Sequence, residues 1–350
     1  MRRATPAGAL RHAAARVVAR VRACTRQRWW PWARRAAVAA IVVVVVALLL
    51  RQARQIDWAQ VWLAVRRQPP AALFAAAALT AASYLAYACF DLAARHYTRH
   101  RVTGWRVVLT AVTSYACNLT LGSAVGGLGV RHRLYVRFGV STGTVLRIVS
   151  FAVITNWIGY LVLAGPLCML HPPVWPPGWS QAWFAGPFAS RALGALLFAA
   201  AAGWVAACRW SKRRELVIGG EPIELPSAPV ALVQAVCGAV NWLLIAAVVW
   251  TLLHGRVAYV DVLAVQLLAA VAGLAVHMPA SLGVIEGVFL ALLGHRVPQG
   301  ELLGALLCYR ALYFLLPLGL ALPALAAGEL RRSSAGDGAD RAAPACSGAP

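Results

Sequence analysis

The chain contains 350 residues, 61% of them hydrophobic and 13% charged, and its formal net charge is +22. Because soluble globular proteins carry about 25% charged residues, this composition excludes an ordinary soluble protein and predicts a polytopic membrane protein. The arginines cluster between apolar runs, as in cytoplasmic loops, which argues against nucleic-acid binding.

The N-terminal segment, residues 1–35, contains ten arginines and no acidic residue. It is either an amphipathic helix on the anionic cytoplasmic leaflet or a basic tail that only orients the protein. The apolar run 36–50 that follows has no small-residue cleavage site. We therefore predict a retained first span and a cytoplasmic N-terminus.

Eight apolar runs predict an all-α membrane domain over 36–328, because a spanning helix needs about 20 residues. A polar cytoplasmic tail follows at 329–350. The predicted segments are 36–50, 68–90, 107–130, 148–170, 192–208, 229–253, 262–294 and 302–328.

The loops between these runs differ in charge. Arginine clusters within 95–106, 131–147 and 209–214 predict cytoplasmic loops, whereas the uncharged, proline-rich stretch 171–187 predicts an external one. Residues 51–69 contain four arginines and are assigned to the outside only by counting spans.

The common sequence motifs of soluble enzymes and of metal sites do not occur in the sequence. The eight cysteines are dispersed without a CxxC pair, and no Walker A, GxSxG, GxGxxG or HExxH pattern occurs. We therefore predict no catalytic residue, no metal site and no cofactor.

The most unusual apolar run is 262–294, whose only ionisable side chains are His277 and Glu286. Pro279 and Gly283 precede the acid and disfavour a continuous helix, so the segment is predicted to break or re-enter. An acid at such a break is typical of a pathway or a binding site. The alternative is an acid near the membrane edge that snorkels to water.

A similar pattern occurs in the first half, where the glycine-rich stretch 126–129 precedes Arg131. On the predicted topology, the two segments enter the membrane from opposite sides. This is the arrangement of an inverted repeat with broken helices, whose breaks form the midplane site in transporters. The sequence therefore predicts two broken or re-entrant helices and suggests an inverted repeat.

Arg310 lies within the apolar run 302–328 and needs an anionic partner, for which Glu286 is the internal candidate. Tyr309 and Tyr313 lie around the same helical turn. The two charges either tie two helices together or bind a lipid, with Arg310 on the phosphate and Glu286 facing a cationic head group. The sequence leaves both interpretations open.

In the first half, Arg131 and backbone donors near the glycines could converge on an anion at the depth of a lipid phosphate. Alternatively, Arg131, Arg133 and Arg137 are topology determinants that meet lipid head groups nonspecifically. The second span ends in residues that we interpret as an interfacial cap: Tyr84, Tyr87 and Asp91.

Two blocks of residues form a recognisable pattern. The first is Asn118, Gly122, Gly126-Gly127, Arg131-His132-Arg133-Leu134-Tyr135 and Gly139-Val140-Ser141. The second is Pro279, Leu282-Gly283-Val284-Ile285-Glu286, Tyr309-Arg310, Tyr313 and Leu316-Pro317. Over residues 115–320, the chain thereby resembles the lysylphosphatidylglycerol synthase transmembrane, flippase-type family of bacterial inner-membrane proteins. One departure is Pro279-Ala280-Ser281, where that family commonly has Pro-Gly-Gly.

The resemblance implies a membrane domain that accommodates phospholipid and, in larger relatives, translocates aminoacylated phosphatidylglycerol. Those relatives also carry a cytoplasmic transferase domain, which is not found in these 350 residues, so we expect no aminoacyl transfer by this chain alone. The expected lipid-binding and transport residues are Asn118, Gly126, Gly127, Arg131, Arg133, Tyr135, Pro279, Gly283, Glu286, Tyr309, Arg310 and Tyr313.

The function predicted from these observations is that of an inner-membrane protein that binds and flips a phospholipid or a related envelope lipid. One alternative is the membrane subunit of a split aminoacyl-phospholipid synthase, and another is a non-transporting scaffold in envelope-lipid assembly. The expected partners are anionic membrane phospholipids. A separate lipid-modifying enzyme and a homodimer remain open, and no nucleic acid is expected.

Overall fold

The computed structural model describes residues 58–171, 186–211, 215–218, 221–276, 283–321 and 323. Almost all of them are helical, which confirms the predicted all-α polytopic membrane fold. The α-helices are α1 (Trp58–Arg66), α2 (Pro70–Thr98), α3 (Gly104–Leu121), α4 (Arg131–Arg137), α5 (Thr142–Leu170), α6 (Pro187–Trp210), α7 (Ala228–Leu252), α8 (Tyr259–Val276), α9 (Val284–Leu293) and α10 (Gln299–Arg310).

Three further elements complete the described chain. Two π-helical segments continue the α-helices beside them, π1 (Ser123–Val130) before α4 and π2 (Ala311–Leu315) after α10. A short antiparallel hairpin, β1 (Glu215–Ile218) and β2 (Glu221–Glu224), connects α6 to α7. The predicted first span and Pro279 lie outside the described residues.

Five helices of the described chain are long and apolar enough to cross a membrane. They are α2, α5, α6, α7 and the continuous helix Gln299–Ala321 that contains α10 and π2. Helices α8 and α9 are apolar but shorter. The segment 51–69, predicted as a loop, contains helix α1 in its described part.

The helices join two ends of the bundle that differ in charge. At one end, residues 95–100 of α2 and its following loop lie beside Arg147 of α5 and Ser227 before α7. We call this the basic end. At the other, which we call the opposite end, Gln68 donates from Nε2 to the Leu252 carbonyl of α7 at 3.2 Å. Helices α2 and α7 are therefore antiparallel.

Two helical hairpins insert into the bundle from these two ends. Helix α3 starts at the basic end, and π1 and α4 return to it, where His132 lies 3.2 Å from the Thr142 hydroxyl. Helix α8 starts at the opposite end, and α9 returns there, where Arg296 pairs with Asp261 at 2.7 Å. Each hairpin thus leaves from the end at which it inserted. This arrangement agrees with the predicted inverted repeat of re-entrant helices.

A buried valine precedes each helix that begins or follows a hairpin. It stands two residues before the helix, at the position where an apolar side chain fixes the direction of the incoming backbone. Each is at most 8% exposed. These residues are Val102 before α3, Val140 before α5, Val257 before α8 and Val297 before α10. The same feature thus flanks the hairpin in both halves of the chain.

The first break lies at Gly122, and not within 126–129 as predicted. Gly122 has a φ of +87° and ends α3, a conformation that strongly favours glycine. The chain is helical again from Ser123, so Gly126 and Gly127 lie inside π1. Because these two glycines have no side chain, π1 can pack closely against α3. Neither glycine forms a turn.

Candidate functional site

The predicted pair between Glu286 and Arg310 is formed. Gly283, at a φ of +77°, caps α9 and places Glu286 in its first turn, while Arg310 ends α10. The guanidinium is bidentate: Nε donates to Oε1 of Glu286, and Nη2 donates to Oε2 at 2.8 Å. Arg310 lies about 17 Å along its helix from Gln299, at 1.5 Å per residue, which is near the middle of a bilayer.

A second charge pair lies in the first half and was not predicted. Arg131 Nη2 is 3.1 Å from Asp91 Oδ1, and the two side chains are 4% and 0% exposed. Tyr135 donates to the other carboxylate oxygen at 2.9 Å, and Arg131 donates to the Tyr87 hydroxyl at 3.3 Å. The interpretation of Tyr84, Tyr87 and Asp91 as an interfacial cap was therefore wrong. Asp91 looked terminal because the apolar run ends there, but α2 continues to Thr98.

Aromatic and hydroxyl groups connect the first pair to the second half of the chain. The Tyr87 ring stacks on Tyr115 with centroids 3.7 Å apart. The Tyr115 and Tyr313 hydroxyls are 3.1 Å apart, and the Ser83 hydroxyl lies 2.7 Å from that of Tyr313. Ser83 also donates to Asn241 Oδ1 at 2.8 Å. A buried hydrogen-bonded path thus runs from α2 and α3 to π2.

A cavity of about 290 Å³ lies where the two hairpins meet. It contains residues from α3, α5, α7, α8, α9, α10 and π2, so both halves of the repeat form its wall. The cavity is lined by Tyr115, Asn118, Leu119, Gly122, Asn156, Trp157, Trp242, Ile245, Gln266, Ala269, Ala270, Gly273, Leu274, Ile285, Tyr309, Tyr313 and Phe314.

The wall of this central cavity contains three of the predicted site residues, Asn118, Tyr309 and Tyr313. The predicted charged residues are not among the described residues of the wall, because Arg131 and Arg310 each face a carboxylate. Arg133 is exposed on α4, and Tyr135 is fully buried beside Asp91. Sequence inspection missed Gln266, a lone amide in an otherwise apolar stretch of α8, which is 4% exposed.

Two predicted site glycines hold the first hairpin together. A Cβ on Gly126 would lie 2.0 Å from the Cys117 carbonyl oxygen, which is far inside van der Waals contact. A Cβ on Gly127 would lie 2.7 Å from Asn118 Oδ1. Gly126 therefore lets π1 touch the α3 backbone, and Gly127 leaves room for the Asn118 side chain at the cavity.

A second cavity, of about 810 Å³, lies at the basic end. Its wall combines residues that the sequence analysis treated only as loop charges: Arg95, His96, Arg99, His100 and Arg147. The backbone N–H of Val102 donates to Nδ1 of His100 at 3.4 Å. Burial and then the nearby Arg95 charge lower the pKa of His100 below its usual value of 6.5. This cavity is suited to an anion.

Comparison with known proteins gives relatives that extend over most of the chain. The family model of the lysylphosphatidylglycerol synthase transmembrane region matches residues 36–321. The chain is 41% identical over 271 residues to the inner membrane protein YbhN of Escherichia coli, covering 77% of this chain and 84% of that protein. It is 30% identical over 263 residues to an uncharacterised protein of Synechocystis, covering 74% and 80%.

Proposed function

Because the chain belongs to the family of the lysylphosphatidylglycerol synthase transmembrane region, we propose that it binds and translocates a phospholipid or a related envelope lipid in the bacterial inner membrane. The observation that carries this proposal is the central cavity between two hairpins that insert from opposite ends. A site at such a junction can be reached from either side when one half of the repeat moves against the other.

Lateral access from the bilayer supports a lipid as the transported molecule. Leu274 lines the central cavity and is 55% exposed, so the wall reaches the outer surface of the helix bundle there. A head group could enter the cavity at this point while its acyl chains remain in the membrane.

The charge distribution supports a cytoplasmic basic end. Arginines that cluster at one end of a membrane domain favour the cytoplasmic side, and a span over 36–50 would then place the N-terminus there too. The basic cavity at this end would attract the phosphates of the anionic cytoplasmic leaflet. The chain would move the lipid without modifying it chemically.

The pair formed by Glu286 and Arg310 is proposed to exchange its mutual bonds for lipid groups during transport. Both side chains are partly accessible, at 17% and 13% exposure, whereas Asp91 and Arg131 are sealed. We expect the accessible pair to be dynamic and the sealed pair to be structural.

The test is lipid scrambling in proteoliposomes with fluorescent phospholipids. We compare the wild type with Glu286→Gln and Arg310→Ala, and with Arg256→Ala as a matched control. Arg256 forms an exposed ion pair with Glu301 at 3.1 Å, and its loss should matter little. We expect both variants of the central pair to lose at least about tenfold in rate, since a bidentate pair contributes more than about 1.4 kcal/mol.

All variants must remain monodisperse for the comparison to hold. If wild-type vesicles scramble no lipid, or if the two central variants match the Arg256→Ala control, the proposed role of the pair is wrong. Transport that requires an added soluble transferase would support the membrane subunit of a split synthase instead.

A further inference from the structure

The side chains that line the central cavity indicate the chemistry of the lipid head group more directly than the nearby charged pair does. Arg310, which follows Tyr309 of the cavity wall, is bonded to Glu286. In the part of the wall that the structure describes, there is no Asp, Glu, Lys, Arg or His. A charged head group would find no counter-charge among these residues, and burial of an unpaired charge is unfavourable.

Gln266 provides an unsatisfied acceptor at this wall. Its side chain is hydrogen-bonded to Tyr309, yet its Oε1 is buried and has no hydrogen-bond partner. A buried carbonyl without a donor destabilises the fold unless a bound molecule donates to it. An O–H or N–H group of a molecule inside the cavity would satisfy this oxygen.

Aromatic side chains form part of the remaining wall. Trp157, Trp242, Tyr309 and Tyr313 line the cavity, and the rings of Tyr309 and Tyr313 are stacked with centroids 5.3 Å apart. Rings of this kind pack against the C–H face of a sugar, while amides such as Asn118 and Gln266 bond its hydroxyls. An ammonium group could also lie over aromatic rings, but the described wall contains no acidic side chain to complete such a site.

The size of the cavity agrees with one sugar ring. A volume of about 290 Å³ admits a monosaccharide and its link to a lipid.

We propose that the central cavity recognises an uncharged, polyhydroxylated lipid head group, and specifically the single sugar of a glycosyl diacylglycerol. Gln266 would accept a hydrogen bond from a sugar hydroxyl, and the aromatic residues would bind the ring face. This inference rests on the proposed lipid transport and names the substrate class of that same site.

The experiment measures transport of four lipids that share one fluorescent acyl chain. Proteoliposomes with the full chain receive monoglucosyl diacylglycerol, phosphatidylglycerol, phosphatidylethanolamine or phosphatidylserine. We expect the glucosyl lipid to cross at least about tenfold faster than the ethanolamine and serine lipids. Phosphatidylglycerol separates the sugar from glycerol, the other common hydroxylated head group, and should be slower than the glucosyl lipid.

Two glutamine variants give opposite expectations. Gln266→Met should abolish the preference for the glucosyl lipid and lower the melting temperature less than Gln234→Met does, because removal of an unsatisfied acceptor offsets the lost bond to Tyr309. Gln234→Met is the matched control. Gln234 is equally buried, but it bonds Trp204 and Thr155 away from the cavity, so this variant should lower the melting temperature and keep the preference.

The outcomes separate the two proposals. If phospholipids cross but the glucosyl lipid does not, or if phosphatidylglycerol is preferred, the sugar inference is wrong and lipid transport stands. If no lipid crosses, transport fails, and a photoreactive glucosyl diacylglycerol decides the inference by crosslinking to wild-type protein. Labelling of α8 or α10 supports the sugar site, labelling elsewhere overturns it, and the same assay replaces Gln266→Met if that variant does not fold.

Discussion

Asp91 and Arg131 are the most deeply buried charges in the described part of the chain. Neither could remain ionised without the other, because an uncompensated charge in a protein interior is costly. Tyr135 and Tyr87 supply further hydrogen bonds to the pair. The pair therefore holds α4, and with it the first hairpin, against α2.

Breaking this pair should destabilise the protein more than removing it altogether. We expect Asp91→Leu to lower the free energy of unfolding by about 3–5 kcal/mol, because Arg131 is left buried and unpaired. The double variant Asp91→Leu with Arg131→Met should recover most of that loss. Thermal unfolding in detergent measures both.

The control is Arg137→Met, which removes an exposed arginine from the same helix and should change stability by less than about 0.5 kcal/mol. A double variant as unstable as Asp91→Leu alone would show that the pair is not what holds α4.

His100 should make the basic end sensitive to pH. Since its pKa is lowered by burial and by Arg95, the unfolded chain binds a proton at His100 more readily than the folded one. The contribution of His100 is thus complete above about pH 6.5 and is lost as the pH falls through and below that value. We expect His100→Gln to show a smaller fall in melting temperature between about pH 8 and about pH 5 than the wild type.

The basic cavity is also faced by Arg95, His96, Arg99 and Arg147. The difference in pH dependence of the melting temperature between the wild type and His100→Gln therefore reports on His100 alone. Identical pH profiles for the two proteins would contradict the assignment.

At the scale of elements, the two hairpins depend on glycines for different reasons. Gly122 and Gly283 have positive φ values at the breaks, whereas Gly126 allows backbone contact between π1 and α3. π-Helical turns are rare and occur frequently at functional sites. Here π2 contributes Tyr313 and Phe314 to the wall of the central cavity, and π1 begins directly after Gly122 of that wall. The cavity is thus bordered by the least regular backbone of the described helices.

Gly126→Ala should loosen the first hairpin. The added methyl group would overlap the Cys117 carbonyl oxygen at 2.0 Å, so α3 and π1 must separate, at a cost of about 1–3 kcal/mol or more. Loss of transport should accompany the lower melting temperature.

Gly203→Ala is the matched control, because a Cβ on Gly203 in α6 would meet nothing within 4 Å. There we expect stabilisation of about 0.5–1 kcal/mol from the higher helix propensity of alanine. Equal effects of the two substitutions on the melting temperature would rule out the packing role of Gly126.

For the whole molecule, the inverted hairpins require that the two ends of the bundle face different compartments. Cysteine replacements at exposed loop positions test this in intact cells. We expect His254→Cys, at the opposite end, to react with a membrane-impermeant maleimide from outside. Arg99→Cys, at the basic end, should react only after the membrane is permeabilised.

The unsubstituted chain gives the background, since the described native cysteines are buried or partly buried. The reverse labelling pattern would invert the proposed orientation and place the basic cavity outside.

The sequence alone determined the fold class and part of the site. Long apolar runs must become helices in a bilayer, because every backbone polar group there needs an internal partner. The pairing of Glu286 with Arg310 followed from the same physics, since each was an isolated charge in an apolar run. Gly283 predicted the second break, because glycine interrupts a helix.

Only the tertiary structure decided which groups meet across helices. Asp91 could not be matched with Arg131 from the sequence for two reasons. Several arginines lie near Arg131, and the last turns of α2 are polar, so the apolar run ends before the helix does. Gln266 became significant only when α8 placed it at a cavity with no donor for its oxygen. Which side chains pair with each other depends on how seven helical elements pack around the central cavity. No local sequence pattern predicts that packing.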